Sequence, residues 1–340
     1  MLDYRHLMRL TDENGILQFA HLGSPDPLSG YTLDDNARAL IIALHMEEGY
    51  ELAYKYASWL LNAIRPDGRW SNLQVNGTYY HHLDSADSIG RALLACSLGL
   101  NSPFPDIKTM CQNMHTAFIA SCLKFTSPRA IAYTLLGLCK IEDEKQRQKY
   151  MDNYGHKLAE FLISLYQSSH TRKFRWFEPY LTYCNGILPQ ALWAYYALSG
   201  NKKALKIAHD SLHFLNSILF KKGHLNIIGN RGWYHKGKKI PFYDQQPVDA
   251  ASTAFACFEA YNVSGESEYL ELAILAHKWY RGHNINNLPL YDKKTGGCFD
   301  ALTPEGVNIN QGAEAVISLL LTDTLMLSFL REKADMEKTS

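Results

Sequence analysis

The chain is poor in the features that mark many chemistries. Its 34 basic and 34 acidic residues cancel, with no basic block, so nucleic acid and anionic membranes meet no attracting surface. Seven cysteines (96, 111, 122, 139, 184, 257, 298) form no Cys-x-x-Cys pair, and an odd, dispersed set in apolar stretches reads as reduced, buried thiols. His81-His82 has no third ligand at helical or finger spacing, so no metal is expected. No glycine-rich phosphate loop follows a strand and no Gly-x-Ser-x-Gly elbow is present, so no cofactor and no activated serine are expected. The start, Met1-Leu-Asp-Tyr-Arg-His, has no secretory pattern, and no apolar run approaches the ~20 residues of a membrane span. The expectation is a cytoplasmic protein.

What the chain does have is repetition. Six times a polar or aromatic approach runs into an alanine-rich apolar helix: Tyr31-Thr-Leu-Asp-Asp-Asn-Ala-Arg, Asp84-Ser-Ala-Asp-Ser-Ile-Gly-Arg, Ser127-Pro-Arg-Ala, Asn185-Gly-Ile-Leu-Pro-Gln-Ala, Gln245-Gln-Pro-Val-Asp-Ala-Ala and Asn310-Gln-Gly-Ala-Glu-Ala. Between them lie more charged, amphipathic helices, such as Glu51 to Leu61 and Lys202 to Phe220, each with one apolar stripe and one solvated face. Helices apolar nearly all round belong inside, and amphipathic ones outside. Six such pairs predict an all-α closed double ring with the polar openings gathered on one rim. Gln74-Val-Asn-Gly-Thr-Tyr-Tyr and the stretch from Trp233 to Tyr243 around Gly237 predict short β-hairpins in the rim loops. One domain is expected over residues 1–330, and the charged stretch 331–340 reads as a disordered tail.

The acids at the openings have an ordinary explanation. Asp35, Asp87, Asp249 and Glu314 each follow a candidate N-cap by three residues, where a carboxylate favours the helix dipole and unpaired N–H groups. Three features argue for more than capping. Asp34 and Asp87 each have an arginine four residues on, Arg38 and Arg91, a pairing that is costly on a buried helix unless a ligand or network uses it. Further acids, Asp84, Glu178, Asp244 and Asp300, stand just before the helices. The same approaches carry Tyr79, His81, His82, Trp176, Tyr183, Trp233 and Tyr243. Acids and amides bind hydroxyls in pairs while aromatic faces cover C–H surfaces, so a rim of this composition suits a sugar.

At these openings the chain resembles the six-hairpin glycosidase superfamily, the (α/α)6 toroids. It resembles in particular the helical domains found alone, or fused to glycosyltransferases, in bacterial carbohydrate clusters. The similar segments include Gly30-Tyr-Thr-Leu-Asp-Asp-Asn-Ala-Arg-Ala-Leu, Asp87-Ser-Ile-Gly-Arg-Ala-Leu, Trp176-Phe-Glu-Pro-Tyr-Leu-Thr-Tyr-Cys-Asn and Asp244-Gln-Gln-Pro-Val-Asp-Ala, within about residues 30 to 318. The resemblance implies an acidic pocket on the rim, with Asp35, Asp87, Glu178 and Asp244 as its acids and no metal. The expected activity is hydrolysis of a glycosidic bond in an oligosaccharide or glycoconjugate by paired carboxylates, with inversion. Asp87 and Asp244 are the preferred acid and base. Arg38, Arg91, Asn185, Gln245, Gln246, Asp249 and Glu314 are expected to position hydroxyls or acids, and Tyr79, Trp176, Tyr183 and Tyr243 to contact the sugar. Two other classes fit the same rim. One is a non-catalytic glycan-binding or accessory domain partnering a glycosyltransferase, which Cys184, standing where an acid or small residue is expected, favours. The other is a sugar epimerase using His81, His82 or His235 as base.

Overall fold

A computed structural model describes residues 2–339. Helix α1 (Arg5–Leu10) precedes α2 (Leu33–Leu44), α3 (Tyr50–Asn62), α4 (Ala86–Gly99), α5 (Pro105–Phe118), α6 (Pro128–Cys139), α7 (Glu144–Tyr150) and α8 (His156–Ser169). Then come α9 (Ile187–Ser199), α10 (Lys202–Leu219), α11 (Pro247–Ser264), α12 (Ser267–Trp279) and α13 (Ala313–Thr339). The even-numbered helices α2, α4 and α6, followed by α9, α11 and α13, pack each on the next, and α13 packs back on α2. The ring is therefore closed: an (α/α)6 toroid. Helices α3, α5, α8, α10 and α12 lie outside it, and α1 packs on α13 from the other end of the chain.

Burial explains who sits where. Every residue of α6 from Arg129 to Cys139 is buried, whereas α10 buries Ala204, Ile207, Ala208, Ser211, Leu212 and Leu215 at three- and four-residue spacing. The inner ring is tight where α4 meets α6, because a Cβ on Gly90 would stand 2.7 Å from the Ala130 carbonyl oxygen. Helix starts are set locally: Thr32, Ser85 and Ser127 accept from the backbone N–H of Asp35, Ser88 and Ala130, and Pro128 and Pro247 occupy the first turns of α6 and α11.

The Asn-Gly hairpin forms as expected. Leu73–Val75 pairs with Thr78–Tyr80 across Asn76 and Gly77, both at positive φ (49° and 73°), and Tyr31–Thr32 adds a third strand. The second hairpin does not form. Tyr234–His235 pairs instead with Tyr180–Leu181, so two rim loops are stitched together. The stretch from 331, where composition suggested a disordered tail, continues α13 through Thr339, and Ser340 lies outside the described residues. Residues Ala313–Arg331 are long and apolar enough to cross a membrane, contrary to the sequence expectation. Half of that window is buried inside the protein, because α13 is a wall of the inner ring.

Candidate functional site

The inner helices α2, α4, α11 and α13 begin around two adjoining cavities. The larger, of about 430 Å³, is lined by Asp34, Asp35, Arg38, Asn72, Asn230, Asp244, Gln246, Asp300, Asn308 and Glu314, with Phe19 and Leu83 among its apolar residues. The smaller, about 280 Å³, is lined by Ser85, Asp87, Arg91, Tyr183, Trp233 and Val248. Asp34, Arg38, Gln246 and Glu314 line both.

The expected i,i+4 pairs on one helix give way to pairs across the ring. Arg91 on α4 reaches Asp34 on α2 at 2.8 Å, and Arg38 on α2 binds Asp35 at 3.2 Å and Glu314 on α13 at 3.0 Å. Two arginines thereby tie three consecutive inner helices together. Asp35 also takes the Thr32 hydroxyl at 2.7 Å, so both its oxygens are engaged. Asp87 accepts hydroxyl hydrogen bonds from Ser127 and from Tyr183, while the helix cap is Ser85. Asp249 accepts the Cys184 backbone N–H at 2.5 Å. Capping alone therefore does not account for Asp87 or Asp249: their carboxylates join different segments of the rim.

Electrostatics separate these acids. Burial opposes ionisation of Asp34, yet the Arg91 and Arg38 charges win and hold its carboxyl below the usual range. Burial raises Asp35 to about 6, against the pull of Arg38 and with the help of the Glu314 charge. Burial likewise raises Asp249 to about 7 and Asp300 to about 6, in both cases with a contribution from Glu314. Glu314 itself keeps 43% of its side chain exposed. One accessible carboxylate thus adds to the upward push that burial gives three deeper ones. Asp300 accepts the Gly312 N–H at 2.7 Å through Oδ1. Asp244 is held by Arg231, with a guanidinium nitrogen 3.1 Å from Oδ1.

Several expected site residues lie elsewhere. Trp176 is fully buried and packs edge-on against Phe177, so it belongs to the core rather than to a sugar platform. Gln245, also fully buried, donates to Asn226 and accepts from Trp279 Nε1, both at 2.9 Å, and so locks the loop before α11. Glu178 and Asn185 line neither cavity. Both bind Arg129, whose Nη1 is 2.8 Å from Glu178 Oε2 and whose other nitrogens reach Tyr183 O, Thr182 Oγ1 and Asn185 Oδ1. Tyr79 packs beside Trp59, and the Tyr243 hydroxyl donates to Asn286 at 2.7 Å. His81, exposed, bonds Arg65, and His235 sits in the loop-to-loop strand.

The site contains residues absent from the expected set. Asp34 and Asp300 stood out in the sequence only as neighbours of better candidates, and Trp233 as one rim aromatic among many. Nothing in the sequence singled out Gln18, Asn72, Asn230 or Asn308. Among the described residues, no group of three or more His, Cys, Asp or Glu side chains is placed to hold a metal ion.

No protein-family model matches the chain, and no curated protein sequence matches it. Solved structures do. A D-mannose isomerase superposes with a TM-score of 0.69 at 16% identity, covering 95% of this chain and 96% of its own. A cellobiose 2-epimerase from Bacillus thermoamylovorans gives 0.71 at 9% identity, with 94% and 95% covered. A GH76 α-mannanase from Bacteroides thetaiotaomicron gives 0.64 at 13% identity, with 89% and 88% covered. The likeness spans nearly the whole of each chain at identities that speak for architecture alone. The chain shares the (α/α)6 toroid fold of these solved structures.

Proposed function

We propose that the chain is an enzyme that hydrolyses a glycosidic bond in a neutral carbohydrate, with Asp300 as proton donor and Glu314 as its carboxylate partner. The observation that carries this is the coupling within one cavity. Burial and the nearby Glu314 charge keep Asp300 protonated up to about pH 6, and only one of its oxygens has a backbone partner. Glu314 binds Arg38 through Oε2 and is open to the cavity. Leaving-group departure needs a protonated acid, and attack needs an ionised partner, which a pair of coupled carboxyls in unequal surroundings supplies. Asp35 is less suited to donate, because Arg38 and Thr32 occupy its oxygens. Asp87 and Asp244, preferred on sequence, take supporting roles: Asp87 is tied to two hydroxyls and Asp244 to Arg231.

Charge supports a neutral substrate. Asp34, Asp35, Asp244, Asp300 and Glu314 line the larger cavity with Arg38, and Arg91 and Arg231 pair with Asp34 and Asp244 from outside that lining, so the acids still outnumber the arginines and disfavour uronates and phosphorylated sugars. Its polar side chains Gln18, Asn72, Asn230, Gln246 and Asn308 match sugar hydroxyls. A cavity of about 430 Å³ holds a sugar ring with room for the water that hydrolysis consumes.

Sugar isomerisation is the second reading, suggested by the likeness to the mannose isomerase and the cellobiose 2-epimerase. His81, His82 and His235, the bases that reading expected, line neither cavity, so a carboxylate would have to move the proton at carbon. The test is a panel of neutral oligosaccharides incubated with the protein and followed by NMR. Release of new reducing ends with inverted anomeric configuration, lost in Asp300→Asn and Glu314→Gln, is the expected result. A changed sugar without cleavage would favour isomerisation. Binding without turnover would leave a glycan-binding domain.

A further inference from the structure

Resting on the reading of Asp300 as proton donor, we propose that His6, on the N-terminal helix α1, is a positioning residue that acts on Asp300 through one shared peptide group. His6 Nε2 stands 3.0 Å from the carbonyl oxygen of Gln311, and the N–H of the same peptide, that of Gly312, donates to Asp300 Oδ1 at 2.7 Å. A carbonyl oxygen only accepts, so Nε2 carries the hydrogen. The line from imidazole to carboxylate is therefore donor, carbonyl, N–H and acceptor, each link polarising the next.

That peptide is held on both flanks by the chain's N-terminal segment. The Gln311 N–H donates to Leu22 O and the Ala313 N–H to Gln18 O, both at 3.0 Å. The Gln311 side chain accepts the Thr295 hydroxyl at 2.7 Å and donates to Asp292 Oδ2 at 3.0 Å. Gly312 permits the close approach, since a Cβ there would stand 3.1 Å from Gln18 O and 3.3 Å from Asp300 Oδ1. His6 is fully buried and its Nδ1 has no partner, so a second ring hydrogen would go unmet. Burial holds its pKa below the usual histidine range, against the raising effect of the Gln311 hydrogen bond, with Arg9 and Asp292 as the nearby charges. Asp300 in turn faces Glu314 on α13 and the Cys298 thiol. His6 therefore stays a neutral donor while Asp300 titrates. Its hydrogen bond, passed through the peptide, favours the ionised carboxylate and offsets part of the upward push of burial and Glu314. His6 lines neither cavity, so its action is indirect.

The experiment is NMR on the full chain with labelled histidine and aspartate, in the wild type, His6→Leu and His6→Gln, with melting temperature as the folding control. In the wild type the His6 nitrogens should report the neutral Nε2–H tautomer. His6→Leu removes the donor, and the Asp300 titration midpoint should rise by about 0.5–1 unit as the hydrogen bond to its carboxylate weakens. His6→Gln, whose amide nitrogen reaches about the Nε2 position, should return the midpoint most of the way. An Nδ1–H tautomer in the wild type overturns the proposal even where His6→Leu does not fold. So does an Asp300 midpoint that stays put in a folded His6→Leu, or one that moves equally in His6→Gln. Where neutral oligosaccharides are cleaved, the upper pH limb should rise with the midpoint in His6→Leu, and a limb that stays while the midpoint moves overturns the positioning role. A shifted midpoint with no oligosaccharide cleaved sinks the hydrolase reading alone and leaves the coupling between His6 and Asp300 standing.

Discussion

Two arginines on the rim make a natural experiment. Arg38 and Arg129 are both deeply buried, both sit in the first half of an inner helix, and both are paired with a glutamate. Arg129 spends all its nitrogens on protein, and its partner Glu178 is 11% exposed at the side chain. Arg38 instead pairs with Glu314, which is 43% exposed and faces both cavities. The same ion pair is therefore a brace on one side of the ring and part of an open site on the other. What decides is whether the glutamate's remaining oxygen is enclosed.

The largest effect expected from breaking this comparison is on the closed side. Glu178→Ala leaves the Arg129 charge buried and unpaired, which costs about 3–5 kcal/mol of stability. Thermal denaturation should show a fall of many degrees, and a shift of a degree or two would mean the brace is idle. On the open side the readout changes. Glu314→Gln should lower turnover by about 10²–10⁴-fold while melting nearly as the wild type does. It should also lower the pKa values that the Glu314 charge helps to raise, so any residual activity moves its upper pH limb downwards. A Glu314→Gln protein that melts as low as Glu178→Ala would erase the distinction between the two sides.

Asp249 sharpens the comparison, since it lies between the sides, bonded to the loop at Cys184 and repelled by Glu314. Burial lifts its carboxyl from 3.8 in the unfolded chain to about 7, so the folded state retains a proton that the unfolded state releases. Its contribution is complete below pH 3.8 and is lost as pH rises towards about 7. Asp249→Asn keeps the acceptor for the Cys184 N–H and removes the titration. The difference in stability between pH 5 and pH 8 should shrink by about 1–3 kcal/mol relative to wild type. An unchanged difference would place the ionisation elsewhere. The smallest effect belongs to a helix start: Ser85→Ala removes the cap of α4 and should cost about 1 kcal/mol by denaturant titration. No loss there would return the capping role to Asp87.

The ring was legible because its signals are local. Helices such as α6 are apolar on every side, α10 is striped, and Asn76-Gly77 dictates its own hairpin. Partner choice was not legible. Spacing alone gives Arg38 to Asp34, whereas the near approach of neighbouring inner helices gives Asp34 to Arg91 and leaves Arg38 for Asp35 and Glu314. Tyr234–His235 looked like half of a hairpin because strand propensity does not name a partner from a distant loop. Trp176 and Gln245 read in the sequence like site residues because core and cavity draw on the same residue types in these approaches. Only the packed ring decides which way each one points.

The contact of α13 with α2 has a consequence in time. The larger cavity draws its walls from residues near both ends of the chain, Gln18 to Arg38 at one and Asp300 to Ala315 at the other. A ribosome that has made everything up to α12 has produced Arg38, Asp34 and Asp35, yet it has no Glu314 and no enclosure around them. Long-range contacts of this kind form late, after the local helical pairs. Any chain cut short before its thirteenth helix would therefore be without the site, and competence would arrive in a single step when the ring shuts.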